Sequence, residues 1–369
     1  MKKHKICKIL LVILAIFLCV AFYELLGICV AYKKQPEVSN TTKKETKNGS
    51  WNECSENTER AVIIEKNPEA LLQRVRLIKN AKKEIILSTF AFQSDESGKL
   101  ILGALHDAAD RGVHIRLLVD GMESWIDMEG NPYFYGLSSH ENVEIKLYNK
   151  ANPLKPWKMM GRMHDKYLIA DGKRYILGGR NTYNYFLGDF PGHKNYDRDV
   201  LVVCDEPEKE NSVNQLSEYF ETIWNQEDSG YFHNNKKLAN RKSVKNAVLE
   251  LQNSYQKYFE ENKERICETD YTDETFETEK ITLVSNPIHT GSKEPVVWYQ
   301  LGELMKNAKN RVKIHTPYII CNDMMYNTWE EIAENVSDFS IMTNSVANNG
   351  NPFGAADYAK NRNRILSTG

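Results

Sequence analysis

The feature that most constrains how this chain can fold is an internal repeat. Lys79-Asn80-Ala81-Lys82 returns as Lys306-Asn307-Ala308-Lys309, with Leu77-Ile78 matched by Leu304-Met305 and Thr89 by Thr316, all at an offset of 227 residues. A second block, Ile115-Arg116-Leu117-Leu118-Val119-Asp120, lines up with Phe339-Ser340-Ile341-Met342-Thr343-Asn344 at an offset of 224. Order and spacing both repeat within a small indel, so one supersecondary unit is used twice.

The unit itself reads as alternating helix and strand. From Pro68 to Ala81 the apolar residues follow helical spacing, and Glu84 to Phe92 reads as a buried strand around Ile85-Ile86-Leu87. A second helix, Leu100 to Asp110, stops at Arg111-Gly112, and Val113 to Val119 gives another aliphatic strand. The alternation predicts an α/β layer fold with a mixed, mostly parallel sheet flanked by helices. Further on, Ser212–Trp224 and roughly Leu238–Lys263 carry the periodicity of surface and connector helices. Ile281 to Ser285 reads as a strand, and Trp298, Tyr299 and Leu301 as core residues of the helix that follows.

From Ile9 to Tyr32 the chain is apolar apart from Glu24, long enough as a helix to cross a hydrocarbon layer of roughly 30 Å. An uncleaved single-pass anchor is expected at residues 1–32, because no small-x-small cleavage site follows the apolar run. Lys2, Lys3, Lys5 and Lys8 precede it and Lys33 and Lys34 follow, and the larger group before it gives the expectation of a cytoplasmic N-terminus with the catalytic part outside the cell membrane. Residues 33–60 are rich in Lys, Asn, Thr, Ser and Glu and read as a polar linker. The remaining expected boundaries are a first lobe at 61–225, a helical connector at 226–280 and a partial second lobe at 281–369. Seven cysteines without a CxxC exclude a disulfide scaffold or a zinc ribbon. A formal charge of −2, from 48 Lys+Arg against 50 Asp+Glu, gives no sign of a nucleic-acid partner.

Chemistry concentrates in Gly161-Arg162-Met163-His164-Asp165-Lys166-Tyr167-Leu168-Ile169-Ala170-Asp171 and in the following Gly178-Gly179-Arg180-Asn181. Read as a strand, it turns His164 and Lys166 to one face, so imidazole and ammonium share a pocket. That pair suits a phosphoryl group: Lys166 supplies fixed charge, Asn181 a further donor, and Gly178 and Gly179 let the backbone approach. His164 can then attack phosphorus or protonate a leaving oxygen. No helical His-x3-His or paired cysteine frames His164, His193, Asp197 and Asp199, so neither a metal nor another cofactor is expected.

The pattern His164-x-Lys166-x4-Asp171 with Gly178-Gly179-x-Asn181 resembles the HKD motif of the phospholipase D superfamily. The segments Leu72–Asp120 and Phe220–Trp224 also look like bacterial cardiolipin synthases. The resemblance implies a phospholipase D-like layered fold with a pseudo-twofold repeat, and catalysis in which one histidine becomes a phosphohistidine while a second acts as acid and base. By it, Lys166, Asn181 and Gly179 bind the substrate phosphate, and Asp197, or else Asp199, orients the histidine. Asp171 is counted with the catalytic set as the residue that stabilises the motif. The implied activity is phosphatidyl transfer on a glycerophospholipid, with a superfamily nuclease or an inactive phospholipid-binding protein as alternatives.

The repeat offset carries His164 to position 388, beyond Gly369, and none of His193, His289 and His315 has Lys two positions later with Asp five beyond that. The second lobe is therefore expected to be incomplete. The second motif is expected from a segment outside this chain or from a homodimer partner.

Overall fold

A computed structural model describes residues 2–31, 33–49, 59–205, 211–345 and 352–368. The expected end of the anchor at Tyr32 and part of the expected linker, 50–58, lie outside the described residues. In chain order the elements begin with helices α1 (Lys2–Ala31) and α2 (Asn40–Lys47), then β1 (Arg60–Ile64), α3 (Asn67–Asn80), β2 (Glu84–Thr89), α4 (Glu96–Asp110) and β3 (His114–Asp120). Next come α5 (Gly121–Asp127), α6 (Pro132–Ser138), β4 (Val143–Tyr148), β5 (Tyr167–Ala170), β6 (Arg174–Gly178) and β7 (Asp199–Val203). They are followed by α7 (Ser212–Trp224), β8 (Ser229–Tyr231), α8 (Lys242–Glu261), α9 (Lys263–Cys267) and β9 (Phe276–Glu277). The last group is α10 (Val296–Lys306), β10 (Arg311–His315), α11 (Asp323–Asn335), β11 (Asp338–Met342) and α12 (Pro352–Ser367).

The chain divides into two compact units, Met1–Gln35 with Asn52–Leu283 and Ile288–Ser292, and Pro36–Trp51 with Val284–Pro287 and Lys293–Gly369. In the larger unit a nine-stranded sheet runs β8-β4-β3-β2-β5-β6-β7-β1-β9. It is mixed, as expected, but not mostly parallel: β2 pairs with β3 and β3 with β4 in parallel. Every other pairing in this sheet is antiparallel. The reason is connection length. β2, β3 and β4 are joined through helices, whereas β5 and β6 are separated by a turn too short for a crossover.

Period-two alternation builds three layers. Ile85, Leu87, Ile115, Leu117, Val119 and Leu168 face a core shared with α3, α4, α6 and α8. Ile86, Leu118, Tyr167 and Ile169 face the other way, onto Val213, Leu216, Phe220 and Ile223 of α7. Asp95 caps α4 by accepting from the Gly98 N–H at 3.0 Å, and Gly112, at φ +88°, ends it. The expected connector at 226–280 is instead part of this lobe. β8 and β9 extend the sheet, and α8 docks on α4 so closely that a Cβ on Gly103 would lie 2.6 Å from the Leu251 carbonyl oxygen. Ile281–Ser285 forms no strand: Ile281 and Leu283 pack on the α7 core, and the Leu283 N–H donates to Gln215 Oε1 at 2.8 Å. That backbone group is satisfied by a side chain rather than by a ladder.

The smaller unit has its own core around Val312, Ile319, Tyr326, Trp329, Ile332 and Ile365. Its parallel pair, β10 with β11, repeats the pair β2 with β3 down to register. Arg311 opposes Asp338 as Glu84 opposes His114, which reproduces the sequence offsets of 227 and 224. Asn322 caps α11 as Asp95 caps α4, again 227 residues apart. Trp298 packs on this core as expected, whereas Leu301 is exposed. Part of the expected linker is folded here. Ser39 caps α2, and Ser39 N–H and Thr42 Oγ1 both donate to Glu294 Oε1, at 2.8 and 2.6 Å. A polar segment with little apolar surface has been ordered by hydrogen bonds to a carboxylate.

The β5–β6 turn is pinned through Asp171. At φ 55°, its carboxylate accepts from the backbone N–H groups of Lys82, Lys83 and Glu84 at 2.7–3.1 Å, tying this turn to the entry of β2. Asp171→Ala removes all three acceptor contacts and puts Ala in a left-handed backbone, so thermal unfolding should show a loss of about 2–3 kcal/mol. Asp171→Asn should lose less, because Asn keeps an acceptor and tolerates that conformation. At Gly103, overpacking against α8, about 1–3 kcal/mol, outweighs the gain of roughly 1 kcal/mol in helix propensity. Gly103→Ala should therefore lower the midpoint of thermal unfolding.

Candidate active site

The carboxyl ends of the parallel strands β2, β3 and β4 are where the chemistry-bearing residues gather, as is usual for such sheets. At the end of β3, Asp120 is buried and accepts from the Met122 and Glu123 N–H groups, at 3.0 and 3.2 Å, to start α5. The same carboxylate takes the Arg162 guanidinium, Nη2 to Oδ1 at 2.6 Å and Nε to Oδ1 at 2.9 Å, and the Met163 N–H at 3.1 Å. The two residues before His164 are thereby fixed.

His164 and Lys166 precede β5 rather than lying in it, but the approach is extended and alternation still holds. Lys166 Nζ sits 3.1 Å from His164 Nδ1 and donates to the His164 carbonyl oxygen at 2.6 Å. Asp165, between them, turns the other way and accepts from Tyr219 Oη of α7 at 2.8 Å. Phe90, just after β2, is the floor: its ring meets the His164 ring edge-on at 4.5 Å, with the Arg162 guanidinium 5.0 Å and Lys166 Nζ 5.4 Å from its centre. Crowding by these neighbours and the adjacent ammonium of Lys166 push His164 down to about 4, against a smaller opposing pull from Asp120. The His164 residue is itself exposed to solvent, which moderates the desolvation. Lys166 is buried, which brings it down to about 8 although Asp165 and Asp197 favour its charge.

Asn181 is buried against Ala91, the residue after Phe90. Its Oδ1 accepts from the Ala91 N–H at 3.2 Å, which leaves the amide hydrogens as donors. The glycines before it do a different job from the one expected. A Cβ on Gly179 would fall 2.0 Å from Asp197 Oδ2, and one on Gly178 2.0 Å from Asp199 Oδ1, so both admit protein carboxylates rather than a phosphate. Asp197 accepts from the Arg198 N–H at 2.7 Å and reaches the site through its charge on Lys166. Among the described contacts none joins it to His164. Asp199, the alternative, is turned to other partners, with Arg74 Nη1 at 2.9 Å and Arg180 Nη1 at 3.2 Å from its Oδ2. Asp171 lies past the far end of β5, roughly 16 Å along the strand from Lys166, and accepts from the Lys83 N–H there. It is a structural clamp, not a catalytic group. The structure thus joins His164 and Lys166 directly, ties Asn181 to Ala91 next to the floor residue Phe90, sets the charge of Asp197 on Lys166, and leaves Asp171 out.

Phe90, Asp120 and Arg162 were missed in the sequence. Asp120-Gly121 carries the signal of a strand end, and nothing in its spacing ties it to Arg162, 42 residues later. Of the aromatics after Asn181, Phe186 packs on the main core, whereas Tyr185 is exposed. A cavity of about 640 Å³ lined by His106, His140, Lys245 and Val248 adjoins the starts of β3 and β4, at the opposite end of the sheet from His164.

Comparison with known proteins agrees with this arrangement. The family described as "Cardiolipin synthase, PLD-like domain" matches residues 74–224, the span that holds every site residue named above. An uncharacterised protein of Helicobacter pylori is 26% identical over 339 residues, 84% of this chain, and the chain spans 64% of that relative's length. Cardiolipin synthase C of Escherichia coli is 30% identical over 154 residues, covering 38% of this chain and 31% of its own. Among solved structures, phosphatidylserine synthase of Haemophilus influenzae superposes with a TM-score of 0.57 at 17% identity, covering 89% of this chain and 74% of that one, a likeness of fold. Residues 74–224 thus carry a phospholipase D-like domain, and over that span the chain is similar to cardiolipin synthases.

Proposed function

We propose that the chain supplies one half of a phospholipase D-type active site that transfers phosphatidyl groups between glycerophospholipids and alcohols. The observation that carries it is the pairing of a depressed, neutral imidazole with a buried ammonium, His164 Nδ1 to Lys166 Nζ at 3.1 Å. A neutral imidazole has the lone pair that attack on phosphorus requires, and the ammonium offsets charge on the phosphoryl oxygens. His164 Nε2 bonds to phosphorus, and the bond to the leaving alcohol breaks with its electron pair on oxygen. That oxygen takes a proton from the acid of the second half, carried by a partner copy or by a segment outside this chain. An acceptor alcohol, or water, then gives its proton to the group of the second half that was left deprotonated, bonds to phosphorus, and displaces the histidine as the P–N pair returns to Nε2.

With Lys166 donating to Nδ1, the neutral ring carries its proton on Nε2. A phosphoryl oxygen that draws the ammonium away frees Nδ1 to take that proton and Nε2 to attack. Asn181 donates its amide hydrogens to the same phosphate, and Asp197 holds the charge on Lys166. The cardiolipin synthase relatives support a phospholipid substrate. The apolar stretch Lys8–Ala31 of α1, long enough to span a bilayer, supports a single-pass place in the cell membrane.

The test is turnover of phosphatidylglycerol vesicles by the full chain over a range of chain concentrations. His164→Ala should lower the rate about 10²–10⁴-fold. Rate per chain should rise with concentration if copies complete the site. Binding to the vesicles without His164-dependent turnover at any concentration would leave a phospholipid-binding protein in place of an enzyme.

The pH profile has a definite sign. A protonated His164 cannot attack and a neutral Lys166 cannot hold the phosphate. Thus kcat/KM should rise through about 4, where the imidazole loses its proton, and fall through about 8, where the ammonium loses its own.

A further inference from the structure

Between β4 and the approach to His164, the stretch from Asn149 to Gly161 forms a loop that exposes apolar side chains yet is rigidly braced. Asn149, at φ 51°, donates through Nδ2 to the Lys158 and Gly161 carbonyl oxygens at 2.7 and 2.8 Å, which closes the loop across its base. Lys158 Nζ pairs with Asp228 at 2.7 Å. On this frame Leu154 stands 77% exposed, with Trp157 and Met160 also exposed. The neighbouring helix α5 begins against the loop, since a Cβ on Gly121 would lie 2.7 Å from Lys150 Cα, and it exposes Trp125 and Ile126 at 69% each. Five large apolar side chains therefore flank the segment that carries Arg162 and His164. Apolar side chains grouped on a fixed frame in this way mark an interaction surface.

Two observations say what covers it. The loop is attached to the apolar helix: Tyr23 Oη donates to the Leu154 carbonyl oxygen at 3.0 Å, and a Cβ on Gly27 would fall 2.5 Å from Pro156 Cγ. Wherever α1 meets a bilayer, the loop is held beside it. Second, the charged residues between 149 and 161 are Lys150, Lys155 and Lys158, with no acid among them. Basic residues interleaved with Trp, Leu and Met match the boundary between anionic headgroups and acyl chains. Asp228 takes up Lys158, and α5 carries Glu123, taken up by Arg162 at 3.4 Å, and Asp127, so the attraction to anionic lipid is assigned to Lys150 and Lys155 of the loop.

We propose that Asn149–Gly161, with Trp125 and Ile126, forms an interfacial surface that inserts Leu154, Trp157 and Met160 into an anionic phospholipid leaflet and seats the His164 site at headgroup level. This rests on the membrane reading above and adds to it the surface that meets the lipid. The test uses the full chain reconstituted in phosphatidylethanolamine–phosphatidylglycerol vesicles whose acyl chains are dibrominated, and reads quenching of tryptophan fluorescence after flotation. W125F with W157F, conservative changes at exposed positions, should at least halve the quenched fraction, whereas W298F with W329F, which removes unquenched emitters, should raise it. Wild-type quenching in the W125F/W157F chain, with the chain still floating, would overturn the interfacial surface and leave the anchor standing. A chain that does not float with the vesicles would overturn the anchor and this surface together.

Discussion

Everything around the site hangs on Asp199, a carboxylate fully withdrawn from water and shared by two guanidinium groups. Arg74 reaches it from α3, and Arg180 comes from the turn after β6 while also donating to the Ile64 and Glu65 carbonyl oxygens and to Asn67 Oδ1. Helix, sheet and the turn that carries Asn181 meet at one buried charge. Removing one member of such a cluster leaves uncompensated charge in the interior, typically about 3–5 kcal/mol, so the three residues stand or fall together. The cluster also explains Gly178, because the carboxylate occupies the volume that a side chain there would need.

Asp120 plays a comparable part on the other flank. Its two oxygens serve the α5 N-terminus, Arg162 and the Met163 backbone, so the segment leading to His164 is held from below by a single group. Between these two anchored flanks, His164 and Lys166 need only an extended backbone and the floor of Phe90 to meet. The pair is pre-positioned by carboxylates that never touch it.

The layered fold was legible because its signals are local and periodic. The helix at 68–81, the strands around Ile86 and Leu117, and the doubled unit all appear near the expected places, the repeat even in strand register. Sheet direction was less legible, since it depends on whether a connection is long enough to cross over, and the short turn through Asp171 is not. At the site, His164, Lys166 and Asn181 were readable as a group because two of them share one extended segment and the third follows a glycine pair. Asp171 and Gly179 were readable as positions but not in role: their contacts are with Lys82–Glu84 and Asp197, which only folding brings near. Asp120 and Phe90 had no signal beyond those of an ordinary strand end.

Gly27 gives the N-terminal helix a consequence of its own. A helix that served merely as a tether could be exchanged for any apolar stretch of equal length, and the lobe beneath it would tumble on a flexible leash. Here the helix carries a notch at Gly27 into which Pro156 fits, and Tyr23 one turn earlier latches the same loop. The helix is thus a component of the folded lobe with its own side-chain code. Its rotation about its axis is tied to that of the sheet, so transplanting a foreign span would sever a joint as well as an anchor.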